Sequence, residues 1–108
     1  MRTSVIGGRS VLGARGELDL ATLPQLHNAL VRYANEHRGE TVIVDLDGVT
    51  TCDDAALGAL LGCAGRLREA GGELVVVCTD GPLGDRLTRT GFDRAVPVER
   101  TIAAAMAR

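Results

Sequence analysis

The residues best placed to do chemistry lie in one stretch, 42–58, which reads VIVDLDGVTTCDDAALG. It contains Asp45, Asp47, Asp53 and Asp54, the hydroxyls of Thr50 and Thr51, and the thiol of Cys52. Paired aspartates after an apolar strand can hold a divalent cation or attack phosphorus. Threonine hydroxyls can accept a phosphoryl group. A cysteine at a helix start can be activated as a thiolate, although neighbouring carboxylates oppose that, so a redox input through Cys52 stays open. Cys52, Cys63 and Cys78 are odd in number and lack CxxC spacing, so neither a disulfide framework nor a zinc site is expected. His27 and His37 read as helix-surface residues, too far apart in sequence to form a metal site. All twelve basic residues are Arg, and the absence of Lys excludes lysine-dependent chemistry.

The elements that must position these groups follow from periodicity and punctuation. Residues 3–6 and 10–15 are strand-like and are separated by Gly7-Gly8, a hairpin signal. Leu23, Leu26, Leu30 and Ala34 recur at helical steps, with Thr22 as N-cap, Pro24 in the first turn and Gly39 as the stop. Residues 41–46, TVIVDL, predict a strand buried on both faces, and 47–52 a connecting loop. A second helix is expected over 54–70, with Asp53 or Asp54 as its cap and Gly71-Gly72 as its end. Further along come a buried strand at 73–78, a short helix at 82–90, a short strand at 95–98 and a last helix at 101–108. The order β-β-α-β-α-β-α-β-α predicts an α/β fold: a mixed sheet of about five strands covered by helices.

Within this frame Gly58 falls inside a helix, which costs about 1 kcal/mol relative to Ala and predicts close packing against a strand. Arg66 and Arg68 read as a solvated helix face. Asp19 is either a cap for the first helix or a partner contact.

Composition bounds what such a fold can do. The 108 residues form a single domain, 1–108, with 45% apolar and 24% charged residues. Twelve basic against 14 acidic residues give a net charge of −2, without the basic excess a nucleic-acid binder needs. Apolar runs fall far short of the ~18 residues of a membrane span, so no membrane insertion is expected. Met1-Arg2-Thr3-Ser4 is not followed by the apolar stretch of a signal peptide, and a cytoplasmic protein with reduced cysteines is the expectation.

Two family resemblances meet at the 42–58 stretch. Val44-Asp45-Leu46-Asp47-Gly48-Val49-Thr50 resembles the first motif of haloacid-dehalogenase-type phosphatases, and Thr79 resembles their second. That likeness implies Asp45 as nucleophile, Asp47 as acid/base and bound magnesium. The remaining parts are missing. There is no Lys, Arg86 would be an unusual stand-in, and the acidic pair Asp85 and Asp93 does not follow a buried strand.

The second resemblance covers nearly the whole chain. Gly16-Glu17-Leu18-Asp19, the apolar strand 42–46, the loop running into Leu57-Gly58, Gly71-Gly72, the strand 74–77 and Leu87 through Gly91-Phe92-Asp93 to Val98 are similar in order and spacing to the STAS domain family. This likeness implies an anti-sigma factor antagonist, a protein-binding domain with no enzymatic activity and no cofactor or metal. Its partner would be an anti-sigma factor, of ATP-binding kinase type in the relatives. The partner-binding surface would comprise Asp19, Thr51, Cys52, Asp53, Asp54, Ala55 and Gly58. In the family a D-S-S-G loop docks the kinase, which phosphorylates the second serine; here Asp53 aligns with the motif's Asp and Ala55 with that serine. Ala55 has no hydroxyl. The chain is then either a permanently unphosphorylated antagonist or one in which Asp54 imitates phosphorylation, with Thr50 or Thr51 as alternative acceptors. Small STAS subunits of ABC-type lipid-transport complexes, which bind an ATPase subunit, are a second possibility within the same resemblance.

Overall fold

A computed structural model describes residues 2–108. Met1, part of the N-terminal start read above, lies outside the described residues. The elements run β1 (Arg2–Ile6), β2 (Arg9–Leu18), α1 (Leu23–Glu36), β3 (Thr41–Cys52), α2 (Asp54–Glu69), β4 (Glu73–Val77), α3 (Pro82–Arg89), α4 (Phe92–Ala95), β5 (Val98–Glu99) and α5 (Ile102–Met106). One sheet holds all five strands in the order β1-β2-β3-β4-β5. β1 and β2 are antiparallel, with Ile6 opposite Arg9, and every later pair is parallel. The hairpin closes on Gly7 and Gly8 at φ +56° and +83°, the left-handed conformations a two-residue turn demands.

β3 is the central strand, and its residues serve two cores. Val42, Val44 and Leu46 join the larger cluster with Leu26, Leu30, Leu60, Leu67 and Val76. Ile43 faces the other way and packs with Val11, Val75, Val77 and Ala105. The larger core lies beneath α1 and α2, and its apolar content reflects the helical spacing of Leu57, Leu60, Ala64 and Leu67. Among the described residues, it is α5 that packs on the opposite face, through Ile102, Ala105 and Met106.

Three expectations need correction. Residues 47–52 are not a loop: β3 continues to Cys52 because β2 also runs on, pairing Arg15 with Gly48, Gly16 with Val49 and Leu18 with Cys52. The extension is irregular, with register shifts between Gly13 and Arg15 and between Gly16 and Glu17. Opposite this irregularity stands Gly48, where a Cβ would crowd the backbone of Ala14 and Arg15. Second, the strand expected at 95–98 shrinks to Val98–Glu99 because Phe92–Ala95 winds into α4. Phe92 is buried there as part of the larger core. Third, Thr22 stands at the N-cap of α1 but its side chain does not cap; the Asp19 carboxylate instead accepts from the N–H groups of Ala21 and Thr22, just before the helix.

Candidate functional site

β4 stops at Val77, opposite Asp45, so the last residues of β3 project beyond the sheet paired only with β2. This two-strand extension delivers Leu18 and Cys52 side by side, each leading into a helix. Val49 and Cys52 turn inward while Thr50 and Thr51 are exposed. The junction into α2 is held firmly. The Asp53 N–H donates to the Leu18 carbonyl at 3.0 Å. The Asp53 carboxylate accepts from the Ala56 N–H at 3.0 Å, which makes Asp53 the cap that the sequence left shared between two aspartates. Asp54 occupies the first helical turn, where the helix dipole favours a negative charge.

Asp19 sits beside this junction, directly after Leu18. Its carboxylate accepts from the N–H groups of Ala21 and Thr22 at 3.0 and 3.1 Å, an Asx turn that starts α1. The Thr22 hydroxyl completes the turn by donating to the Glu17 carbonyl at 2.9 Å. The turn pushes Leu20 outward, with 72% of its surface exposed. Nothing in the sequence marked Leu20, because a leucine beside a capping aspartate reads as core.

A groove of about 490 Å³ is lined by these two segments and by α3. Leu18, Asp19, Thr51 and Asp53 form one side, and Pro82, Leu83, Arg86 and Arg89 the other. Arg86 reaches across it. Its Nε–H donates to the Cys52 carbonyl at 2.7 Å, and its terminal nitrogen pairs with Asp54 at 2.6 Å. Sequence reasoning missed this contact, since 32 residues separate Arg86 from Asp54.

Several residues stand differently from their sequence reading. Cys52 contributes only its backbone to the site: its side chain is buried and burial pushes the thiol up to about 11, so the helix dipole does not activate it. Cys63 is likewise raised to about 11 by burial, and Cys78 is raised by burial and then by the Asp47 carboxylate. Gly58 is exposed and a Cβ there would meet nothing within 4 Å, so close approach to a strand is not its explanation. It lies with Ala55, Gly62 and His27 along a shallow depression between α1 and α2. His27 is exposed, whereas His37 is half-buried, edge-on to Tyr33 and bonded to Ser10 and Glu40. Arg66 is exposed as expected, while Arg68 donates to the Ala95 carbonyl at 2.9 Å and ties α2 to α4.

The phosphatase-like aspartates are occupied by backbone. Asp45 accepts from the Asp47 N–H at 2.9 Å and Asp47 from the Thr79 N–H at 2.7 Å. Among the described residues no His, Cys, Asp and Glu side chains gather into a group able to hold a metal ion. Nor, among them, is any helix long and apolar enough to cross a membrane.

Comparison with known proteins places the chain in a clear setting. A family model described as the STAS domain matches residues 1–105. An anti-sigma factor antagonist from Mycobacterium paratuberculosis superposes with a TM-score of 0.87 at 24% identity, over 98% of this chain and 89% of that one. A putative anti-sigma factor antagonist from Thermotoga maritima gives 0.86 at 20% identity, over 98% and 91%. The murine anion transporter Slc26a9 gives 0.78 at 17% identity, covering 94% of this chain and 18% of the transporter. No curated protein sequence matches the chain significantly.

Proposed function

The chain belongs to the STAS domain family, and from that premise we propose that it is an anti-sigma factor antagonist acting by occupation of its partner. The docking surface is the β3–α2 junction with the start of α1: Asp19, Leu20, Thr51, Asp53, Asp54, Ala55 and Gly58, with Cys52 contributing backbone. Its partner is an anti-sigma factor of the ATP-binding kinase type, which places the complex in the cytoplasm. The domain performs no catalysis of its own; by binding the anti-sigma factor it frees the sigma factor.

One observation carries this reading. Thr51 and Asp54 face solvent, while the backbone between them is hydrogen-bonded to the Leu18 carbonyl and capped by the Asp53 side chain. A preformed surface loses little freedom on binding, which favours a docking role. The related antagonist structures and the transporter domain, all below 25% identity, support the fold rather than the partner.

Position 55 sets the regulation. Phosphorylation adds a charge of about −1.5 to −2 and breaks a desolvated interface, but Ala55 offers no hydroxyl. The antagonist is therefore permanently unphosphorylated at this site. The test is a pull-down with purified anti-sigma kinases. The wild-type chain is expected to stay bound after incubation with ATP, while Ala55→Ser is phosphorylated and released. Absence of binding by both forms would remove the antagonist reading. Recovery of the chain from native membranes with an ATPase subunit would replace it with the lipid-transport role.

A further inference from the structure

On the STAS resemblance, position 54 departs from the D-S-S-G pattern as position 55 does, with an aspartate where the pattern has its first serine. Taken alone, Asp54 would put a negative charge on the docking surface. It does not stand alone: the Arg86 guanidinium pairs with it at 2.6 Å and simultaneously holds the Cys52 carbonyl at 2.7 Å. Cys52 is the last residue of β3 and Asp54 the first of α2, so one side chain grips the junction on both sides of the Asp53 cap.

Arg86 is well placed to do this. It is the neighbour of Leu87, which is fully buried and fixes α3 against the core. The Arg86 side chain is 31% exposed, whereas that of Asp54 is 90% exposed. An ion pair whose carboxylate is so open to water adds little to stability, so stability does not account for the arrangement. The Nε–H to carbonyl bond differs in kind. It is a charge-assisted bond to backbone that a fixed planar fork can make together with the carboxylate contact. Of the bonds that hold the junction, the Asp53 cap is local and the Leu18 carbonyl comes from the paired strand. Among the described residues it is Arg86 that reaches the junction from α3, more than thirty residues along the chain, and it brings a positive charge.

We infer that Arg86 is a positioning residue of the docking surface: it clamps the β3–α2 junction from α3 and cancels the charge of Asp54. Asp54 is then the counter-ion of Arg86 rather than an imitation of phosphoserine. The pairing offsets the Asp54 charge, while the Asp19 and Asp53 carboxylates on the same surface are bonded to backbone N–H groups. The inference rests on the function proposed above for its consequence in binding, while the clamp itself is measurable in the isolated chain.

The experiment uses Arg86→Gln, Arg86→Lys, Asp54→Ser and the Arg86→Gln/Asp54→Ser double variant. In the isolated chain, amide hydrogen exchange is followed at Asp53, Ala56 and Leu57, whose N–H groups bond to Leu18, the Asp53 side chain and the Asp53 carbonyl. Arg86→Gln is expected to speed exchange at these amides by about tenfold through local opening, with core amides such as Val76 unchanged. Unchanged exchange at the junction would overturn the clamp. If Arg86→Gln does not fold, Arg86→Lys provides the same reading, since an ammonium lacks the planar fork.

Affinity for a purified ATP-binding anti-sigma factor gives the second readout. Arg86→Gln is expected to weaken it by about tenfold because Asp54 is left uncompensated. Asp54→Ser in that background restores most of the loss. An equal loss with either residue at position 54 would overturn charge cancellation. If no form binds while exchange at the junction still responds, the antagonist role fails and the clamp stands.

Discussion

At the scale of single residues, the site is made by groups whose backbone bonds matter more than their charge. The Asp53 carboxylate accepts from the Ala56 N–H, one of the donors that a helix start otherwise leaves unsatisfied. Asp53→Ala is expected to lower stability by about 1 kcal/mol, within the usual range for a lost cap, as read by urea unfolding. Asp54→Ser is expected to change stability far less, because its partner contact lies in water. The thiols give a separate test. Burial raises Cys52 and Cys63 from 9.0 to about 11 and Tyr33 from 10.0 to about 12, so the folded chain keeps protons that the unfolded chain releases. The folded pKa values lie above the unfolded ones, so this stabilisation is complete below pH 9 and is lost as pH rises from 9 toward 12. Unfolding free energy measured across that window is expected to fall steadily. Thiol-reactive reagents at pH 8 are expected to leave Cys52 untouched until the chain unfolds.

At the scale of elements, α2 carries glycines that its own packing does not explain. A Cβ at Gly58 or Gly65 would meet nothing within 4 Å, and neither residue has a positive φ. Gly58→Ala and Gly65→Ala are each expected to raise stability by about 0.5–1 kcal/mol, seen as a higher unfolding midpoint in urea. Gly58→Ala also adds a methyl group one turn beyond Ala55, so its affinity for the anti-sigma factor is expected to drop as its stability rises. This glycine shows where legibility ends. Its position within a helix could be read from the chain, but whether anything lies over it depends on how α1 and α2 cross. The helices other than α4, the buried strands and the parallel order were legible because periodicity and β-branched runs are local signals. The β3 extension was not, since 47–52 is polar and becomes strand only by pairing with a β2 that lies 33 residues earlier, as at Arg15 and Gly48. Asp19 and Asp53 were legible as capping types that compete for nearby N–H groups. Arg86 was not, because its contact depends on where α3 comes to rest.

At the scale of the whole molecule, the sheet divides the labour between its faces. The larger core beneath α1 and α2 also supports the start of α2, since Ala56, Leu57 and Leu60 belong to it together with Leu18 and Cys52. The smaller core relies on α5, where Ala105 meets Val11, Ile43, Val75 and Val77. α5 reaches as far as the hairpin, where any Cβ at Gly7 would collide with Met106. Damage to the two faces therefore has different consequences. Ala105→Asp places a carboxylate at a fully buried apolar position and is expected to cost about 3 kcal/mol or more. Leu60→Ala empties a fully buried site in the larger core and is expected to cost a comparable 2–5 kcal/mol, or about what such cavities cost elsewhere. Urea unfolding measures both losses. Binding separates them, because the docking surface is seated on the larger core alone. At a temperature where both variants remain folded, Ala105→Asp is expected to keep wild-type affinity for the anti-sigma factor. Leu60→Ala is expected to lose affinity along with stability, as the seat of α2 relaxes toward the vacated volume. Equal affinities in the two variants would show that the junction holds its shape without support from the core beneath it.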